Sequence, residues 1–544
     1  MPFVQELLPL SFCYCYKWHL TFQFSLNIEF QIPKDDPVRL LRYIVEGMDL
    51  SELYHTYSHF EKNQASPRQL LEILIYANMN CIRSSRRIEQ ACRRDINYMF
   101  LLEGKRPPDH ATIARFRSIH LAACMKETFA QMDCRLADLG ELSLENIFID
   151  GTKIEAFANK YKFVWKKAVT KNLQKLLEKI PAFIEQIEED FGIQVIHGKE
   201  IQLYHLKRLH RKLKRLQQQE NITFVHGIGK RKTPLQRTLE TLDEYIRRIK
   251  DYIYKLHVCG KRNSFAKTEQ DATFMRMKED AMRNGQLKPA YNIQYGIDAE
   301  YVVWVTEGPQ PTDTTTLIPF LQEFERYFHT SYANVIADAG YESEENYLYL
   351  EAQGQTAYIK PNNYEISKQR KYKKDIGRRE NMDYRAEEDC YICTKGKKIA
   401  AIGERKSKTR TGYVVQKTQY ACEDCSGCAL KAQCIRGNNS KIPLEERSKH
   451  FEVSKTFQQK RAEDMERITS PKGIELRVNR SIQSEGAFAD VKEDLHFRRF
   501  LGHGNGNALV ESMLLGMAHN INKLHHKIQS GRSGQYLFPI NSAA

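Results

Sequence analysis

The sequence lacks any long apolar run, which excludes one common architecture at the outset. Nowhere in its 544 residues does a stretch approach the roughly 18 consecutive apolar residues of a membrane-spanning helix. The apolar opening, Met1 to Tyr16, also lacks the basic start and the small-residue cleavage site of a secretory leader. We therefore expect a cytoplasmic protein without a membrane partner.

Acidic residues are fewer than basic ones. The chain has 68 Asp and Glu residues and 83 Lys and Arg residues, which gives a formal net charge of +15. This balance favours a polyanionic partner, and a merely soluble basic protein is the alternative. The 13 cysteines, without a leader, indicate a reducing compartment and thiols that are free or metal-bound. Sequence motifs of a serine or cysteine nucleophile are absent as well.

An acidic residue follows a strand-like apolar run at two places. Val335 to Ala337 lead into Asp338, and Ile147 to Ile149 lead into Asp150, with a glycine one or two positions later in each case. The carboxyl ends of strands in α/β sheets form the crevice where ligands bind. The pattern predicts a site at these aspartates, and ordinary turn capping is the alternative.

A third acid, Glu485, precedes apolar residues spaced as on a helix, namely Phe488, Val491 and Leu495. Hard cations prefer oxygen ligands, and two ions about 4 Å apart can activate an attacking oxygen and stabilise a leaving one. The three acids therefore predict a site for two Mg²⁺ ions, for which Mn²⁺ can substitute.

Taken together, these blocks resemble the DDE transposases of bacterial insertion sequences. The matching blocks are Phe148 to Ala156, Asn159 to Tyr161, Phe163 to Lys166, Tyr291 to Gln294, Ala337 to Tyr341, and Glu485 to Phe488 with Lys492. The resemblance extends from about Ile32 to about His526. It implies a ribonuclease-H-like core in which Asp150, Asp338 and Glu485 are catalytic and bind metal.

The resemblance also implies partners and a reaction. The expected partner is double-stranded DNA, both at the element ends and at the target. The chain is expected to act on that DNA as a homodimer and to associate with the nucleoid. Some relatives carry a tyrosine and an arginine seven and four residues before the glutamate, where this chain has Val478 and Ser481, with Arg480 one place off. Arg480 and Lys492 are candidate phosphate contacts, and a solvated lysine is the alternative for Lys492.

We predict a mixed α/β fold, with a ribonuclease-H-like core interrupted and preceded by other domains. The domains are an N-terminal extension with a strand (1–35), a helical DNA-binding domain (36–142), the catalytic core (143–165, 286–375 and 470–530), a basic helical hairpin insertion (166–285) and a cysteine-rich insertion (376–469). The alternating apolar residues from Thr21 to Ile32 predict the strand of the extension.

Helix starts are predicted at Ser66, Ser84 and Asp109 in the N-terminal helical region. Short helices with arginine-rich turns suit helix-turn-helix-like DNA contact, and a plain helical support is the alternative. In the core, the pair Thr312 and Asp313 is expected to cap a helix that carries Leu317 and the apolar residues after it.

The helical insertion has apolar residues at threes and fours, which predicts long helices packed as a hairpin or small bundle. Between Ile201 and Arg262 there are 16 Lys and Arg residues but only 5 Asp and Glu. The basic array includes Lys207, Arg208, Arg211 and Lys212. We expect it to contact the DNA backbone, and a solvated helix face is the alternative.

Cysteines recur at short spacings in the last insertion. Cys422, Cys425, Cys428 and Cys434 could together hold a structural Zn²⁺ ion, with Cys390 and Cys393 as substitutes for two of them. Free thiols in a reduced cytosol are the alternative. The spacing does not decide between these sets.

The expected function is a DNA transposase that cuts at the ends of its insertion sequence. It would then join the 3′-hydroxyl ends to target DNA by a two-metal-ion mechanism. A ribonuclease-H-like nuclease or resolvase would use the same acids only to hydrolyse DNA. A catalytically silent DNA-binding derivative is the other alternative.

Overall fold

The computed structural model describes residues 31–59, 63–196, 201–227, 229–277, 285–437, 440 and 442–539. The strand predicted over Thr21 to Ile32 lies outside these ranges, apart from its last two residues. Within them, no helix is both long enough and apolar enough to cross a membrane.

Short helices make up the N-terminal region. They are α1 (Pro37–Glu46), α2 (Ser51–His55), α3 (Pro67–Met79), α4 (Ser85–Cys92), α5 (Ile96–Leu102), α6 (His110–Arg115) and α7 (Ala122–Asp138). Two predicted helix starts carry side-chain caps, because Ser66 Oγ accepts from the Gln69 amide at 3.3 Å and Asp109 Oδ1 from the Thr112 amide at 2.7 Å. Ser84 begins α4 without a side-chain cap.

The first core strand is followed by the helical insertion. The elements are β1 (Asn146–Glu155), β2 (Phe163–Trp165), α8 (Lys166–Leu177), α9 (Ile180–Phe191), α10 (Leu203–Gln219), α11 (Pro234–Cys259), β3 (Ser264–Ala266) and β4 (Thr273–Arg276). The predicted apolar seams of α8 to α11 meet in a core of their own. One seam is split between α8 and α9 near Pro181, since proline is tolerated only in the first turn of a helix.

The remaining core strands complete a mixed sheet. The chain continues through β5 (Leu287–Asp298), β6 (Tyr301–Gly308), α12 (Leu317–Phe328), β7 (Asn334–Ala337), α13 (Glu344–Ala352) and β8 (Thr356–Ile359). The strand order is β6-β5-β1-β7-β8, with β4 also on β5. Strand β5 runs antiparallel to β1 and to β6, while β7 is parallel to both β1 and β8. The predicted mixed α/β fold is confirmed, and this strand order is consistent with the predicted ribonuclease-H-like core.

The cysteine-rich region forms a second, antiparallel sheet. After the short helices α14 (Tyr364–Ser367) and α15 (Arg370–Lys373) come β9 (Asp383–Arg385), β10 (Cys390–Ile392), β11 (Lys398–Lys408), β12 (Val414–Cys422), α16 (Lys431–Cys434) and β13 (His450–Val453). The order is β13-β12-β11-β10-β9.

The chain returns to the core in α17 (Lys455–Thr469), α18 (Pro471–Ala489) and α19 (Gly504–Gln529). Helix α19 packs against β6, α3 and α7, so the N-terminal helices and the mixed sheet share one apolar core. The Asn520 side chain joins α19 to the sheet, because it accepts from the Val302 amide and donates to the Val302 carbonyl, each at 2.8 Å.

Candidate active site

Asp150 and Asp338 lie side by side in the mixed sheet, on or next to its neighbouring strands β1 and β7. The parallel pairing of β1 with β7 ends at Ile149 opposite Ala337, and the two aspartates are the next residues of their chains. Asp338 directly follows β7, as predicted. Asp150 does not end its strand, contrary to prediction, because β5 pairs with β1 as far as Glu155 and keeps it extended.

Each aspartate is fixed by a nearby backbone amide. Asp150 Oδ1 accepts from the Gly151 amide at 2.8 Å, and Asp338 Oδ1 accepts from the Gly340 amide at 2.7 Å. Both residues are partly accessible at the sheet surface. Their carboxylates are therefore held in place without being withdrawn from solvent.

Arg480 forms an ion pair with Asp150. Its guanidinium projects from α18 and pairs with Asp150 Oδ2, and each of the two side chains is 16% exposed. The Arg480 Nε atom is buried and has no hydrogen-bond partner among the described residues. Arg480 was predicted to contact DNA, and here its charge is directed at a predicted catalytic acid.

A further carboxylate, Asp313, reaches the same place from the loop after β6. Its Oδ1 accepts from Asn292 Nδ2 at 2.6 Å and from Gln294 Nε2 at 3.1 Å. The prediction that Asp313 caps a helix is wrong, since the turn Asp313–Thr315 is a 3₁₀ helix and α12 begins only at Leu317. The side-chain amides of Asn292 and Gln294 on β5 bind the Asp313 carboxylate, which therefore does not cap α12.

The pKa of Tyr341 reflects the charges of the acidic residues around it. Its phenol is fully buried and donates to Gln294 Oε1. Burial raises the pKa of Tyr341 well above its usual value, the negative charges of Asp313, Asp150 and Asp338 raise it further, and Arg480 opposes them. Three carboxylates thus share the space around this residue with one guanidinium.

The other predicted catalytic residues lie on or just beyond α18. Glu485 is exposed on α18. Lys492 is half-buried in the π-helical turn Asp490–Asp494 that continues α18. The structure therefore brings Asp150, Asp338 and Arg480 together.

The carboxylates suit a hard divalent cation by their chemistry, since they offer oxygen donors at one edge of a sheet. Among the described residues, however, no three His, Cys, Asp or Glu side chains converge closely enough to hold an ion. The Asp150 carboxylate instead accepts a hydrogen bond from Arg480. Metal ligation by this group stays a prediction.

The basic array lies on α10, where Lys207, Arg208 and Arg211 are exposed. Lys212 is half-buried and donates to the Gln194 carbonyl at 3.0 Å, and Arg211 reaches only the Lys207 carbonyl, at 3.4 Å. No ion pair among the described residues neutralises Lys207, Arg208 or Arg211. Their positive charge therefore faces solvent.

The cysteines of the second sheet fall into two groups. Cys422, at the end of β12, packs with Cys393 and Cys425. Burial, and then the neighbouring Cys425 thiol, raises the pKa of Cys422 to about 11. Burial raises the pKa of Cys434, and the charges of Cys393, Cys425 and Cys428 raise it further. Five thiols are thus neighbours, although they do not converge on one point.

Cys390 lies apart from that group. It is buried in β10, where its thiol faces Glu388 at 4.0 Å. Of the two substitutes that the spacing allowed, the structure therefore places only Cys393 near the other thiols.

Sequence reasoning missed Asp313 and gave Asn292 and Gln294 no role, although both amides stand in one of the quoted motif blocks. Two polar residues at alternate positions of an otherwise apolar strand were the available signal. Such spacing puts them on one face of the strand. Nothing in the sequence indicated which acid they would face.

Two family profiles match the chain. One, described as a transposase domain, covers residues 26–118, and the other, described as a transposase DDE domain, covers residues 392–525. No curated protein and no solved structure matches. Both matched segments are thus similar to transposase domains. Within that class, the resemblance to insertion-sequence DDE transposases is confirmed.

Proposed function

We propose that this transposase cuts DNA at the ends of its insertion sequence and joins the 3′-hydroxyl ends to target DNA. The observation that carries the proposal is the adjacency of Asp150 and Asp338 beyond the Ile149–Ala337 pair. In a chain with two transposase profiles, that adjacency supports the metal-dependent strand chemistry of DDE enzymes rather than DNA binding alone.

In this proposal Asp150, Asp338 and Glu485 hold two Mg²⁺ ions, or Mn²⁺ in their place. When bound, such ions lower the pKa of an attacking water and stabilise the leaving oxygen of the DNA strand. Glu485 is exposed on α18. A shift of that helix would bring its carboxylate to the two aspartates. Arg480 would leave Asp150 at the same time and, with Lys492, bind strand phosphates.

Double-stranded DNA would also lie along α10. The exposed charges of Lys207, Arg208 and Arg211, together with Lys212, suit backbone contact without sequence preference. The N-terminal helices would read the element ends, and two copies of the chain would act as a homodimer on the DNA. Association with the nucleoid would follow from this binding.

We further propose that the cysteine group binds one structural Zn²⁺ ion. Thiolates are the ligands that zinc prefers, and Cys422, Cys425, Cys428 and Cys434 lie near one another with Cys393. In this view the ion holds the loop after β12 against the β10–β11 turn. The site would be structural rather than catalytic.

The test is a duplex oligonucleotide that carries the element's own end and its flank, incubated with the protein, Mg²⁺ and a supercoiled plasmid. We expect cleavage at the element end and joining of the 3′ end to the plasmid. Asp150→Asn, Asp338→Asn and Glu485→Gln should each lower cleavage more than about a hundredfold, since a lost metal ligand costs about 3 kcal/mol or more.

Each alternative gives its own result in this assay. Cleavage without joining would indicate a nuclease or resolvase. Binding of the duplex in a gel-shift assay, with neither reaction, would indicate a catalytically silent derivative. Wild-type cleavage by one of the three variants would remove that residue from the site, and gel shifts check that the variants still bind DNA.

A further inference from the structure

Asp313 lies against the residue that follows each predicted catalytic aspartate. A Cβ atom at Gly151 would stand 2.7 Å from Asp313 Oδ1. One at Gly340 would stand 3.1 Å from Asp313 Oδ2 and 2.9 Å from Asp338 Oδ1. The two glycines are therefore explained by the close approach of this carboxylate rather than by an unusual backbone conformation.

The position of Asp313 is fixed from two further directions. Asn292 and Gln294 of β5 both donate to its Oδ1. The next residue, Thr314, donates from Oγ1 to the Gly340 carbonyl at 3.0 Å, which ties the loop after β6 to the turn that carries Asp338. Oδ2 is thereby presented toward the Asp338 side of the group.

A second, independent observation points to a ligand here. Asn292 is only 1% exposed, and its Nδ2 is bound to Asp313, yet its Oδ1 receives no hydrogen bond from any described residue. A buried carbonyl oxygen without a donor costs about 1–3 kcal/mol. Amide carbonyl oxygens and waters are common ligands of hard cations, so a hydrated cation beside Asp313 would satisfy this atom.

The charges point the same way. Asp150, Asp313 and Asp338 all act on Tyr341, so three carboxylates lie near one another, and Arg480 pairs with Asp150. Like charges this close repel one another, and a divalent cation offsets that repulsion.

We propose that Asp313 is a fourth carboxylate of the catalytic centre and ligates a divalent cation together with Asp338, with the Asn292 carbonyl facing the water shell of that ion. This inference rests on the proposed strand-cleavage function. It assigns a catalytic role to a residue outside the acid trio of the DDE resemblance.

The test is Mn²⁺ binding, measured by electron paramagnetic resonance on wild type, Asp313→Asn, Asp338→Asn and Glu325→Gln. Mn²⁺ suits carboxylate sites, whereas thiolate sites select softer ions. Asparagine keeps an oxygen for Asn292 and Gln294 but removes the charge. We expect at least about a tenfold loss of Mn²⁺ affinity for Asp313→Asn and Asp338→Asn. The control Glu325→Gln, on α12, should bind as wild type.

Wild-type Mn²⁺ affinity in Asp313→Asn, beside a loss in Asp338→Asn, would overturn the inference and leave the proposed function intact. Absence of Mn²⁺ binding and of cleavage in wild type would instead contradict the proposed function. If Asp313→Asn melts at a much lower temperature than wild type, Asp313→Glu replaces it as the test of the ligand role, since glutamate keeps the negative charge. A ligand role then gives Asp313→Glu tighter Mn²⁺ binding than Asp313→Asn, and equal affinities would overturn it.

Discussion

The guanidinium of Arg480 on α18 forms an ion pair with the carboxylate of Asp150 on β1. A helix that returns to the sheet 330 residues later thus places a positive charge on a predicted metal ligand. The pair opposes a cation at Asp150 electrostatically, because the positive charge of Arg480 already lies beside that carboxylate.

Replacing Arg480 with glutamine should therefore strengthen Mn²⁺ binding in the absence of DNA. Two unit charges about 4 Å apart interact by roughly 4 kcal/mol near a protein surface, so an increase in affinity of about tenfold is a conservative expectation. Electron paramagnetic resonance titration measures it, with Arg498→Gln as the control because Arg498 pairs with Glu493 instead. Unchanged affinity would show that Arg480 does not compete for Asp150.

Neutralising the α10 array should weaken DNA binding on all sequences alike. We expect the variant with Lys207, Arg208, Arg211 and Lys212 changed to glutamine to show a shallower dependence of log K on log salt. The slope should fall by about 0.9 for each phosphate contact that is lost. Binding to an unrelated duplex at several salt concentrations measures this. Gln218→Ala with Gln219→Ala is the control on the same helix, and an unchanged slope in the array variant would contradict the prediction.

The zinc proposal predicts a difference between two cysteines. Cys425→Ser should lose bound zinc, while Cys390→Ser should retain it, because Cys390 lies apart from the other thiols. Elemental analysis of protein purified without added metal should find about one zinc per wild-type chain. A chelator should increase amide hydrogen exchange in the second sheet before it does so in the mixed sheet that carries Asp150. Negligible zinc in folded, active protein would leave free thiols.

Asp464 should make the stability of the core depend on pH. This fully buried carboxylate on α17 accepts from the Ile359 amide at 3.2 Å and from Tyr347 Oη at 3.0 Å. Burial raises the pKa of Asp464 to about 7 from its usual 3.8. The folded state therefore holds a proton that the unfolded state releases, so stability contributed at low pH is lost as pH rises from about 4 to about 7.

Asp464→Asn tests this, because asparagine keeps an oxygen that can accept one of these bonds but cannot ionise. The melting temperature of wild type should fall more than that of the variant between pH 5 and pH 7.5, as measured by differential scanning calorimetry. Glu463→Gln, a neighbour whose pKa is lowered by Lys460, is the control. Equal falls in wild type and Asp464→Asn would show that another group dominates.

The sequence by itself determined several local elements and indicated the two strand-borne aspartates. Short-range patterns were enough for the caps at Ser66 and Asp109, for the apolar seams of α8 to α11, and for the strand that Asp338 directly follows. These features depend on side chains a few residues apart, and local chemistry fixes them. Two strand-borne aspartates then meet because β1 and β7 are parallel neighbours in the sheet.

Only the tertiary structure decided which charged groups face one another in the site. Asp313 has the sequence pattern of a helix cap, yet it is drawn to Asn292 and Gln294 because β5 pairs beside β1. Arg480 has the pattern of a DNA contact, yet α18 packs it onto Asp150. Both contacts join residues far apart in sequence, and their geometry depends on the packing of the whole sheet, which no local pattern encodes.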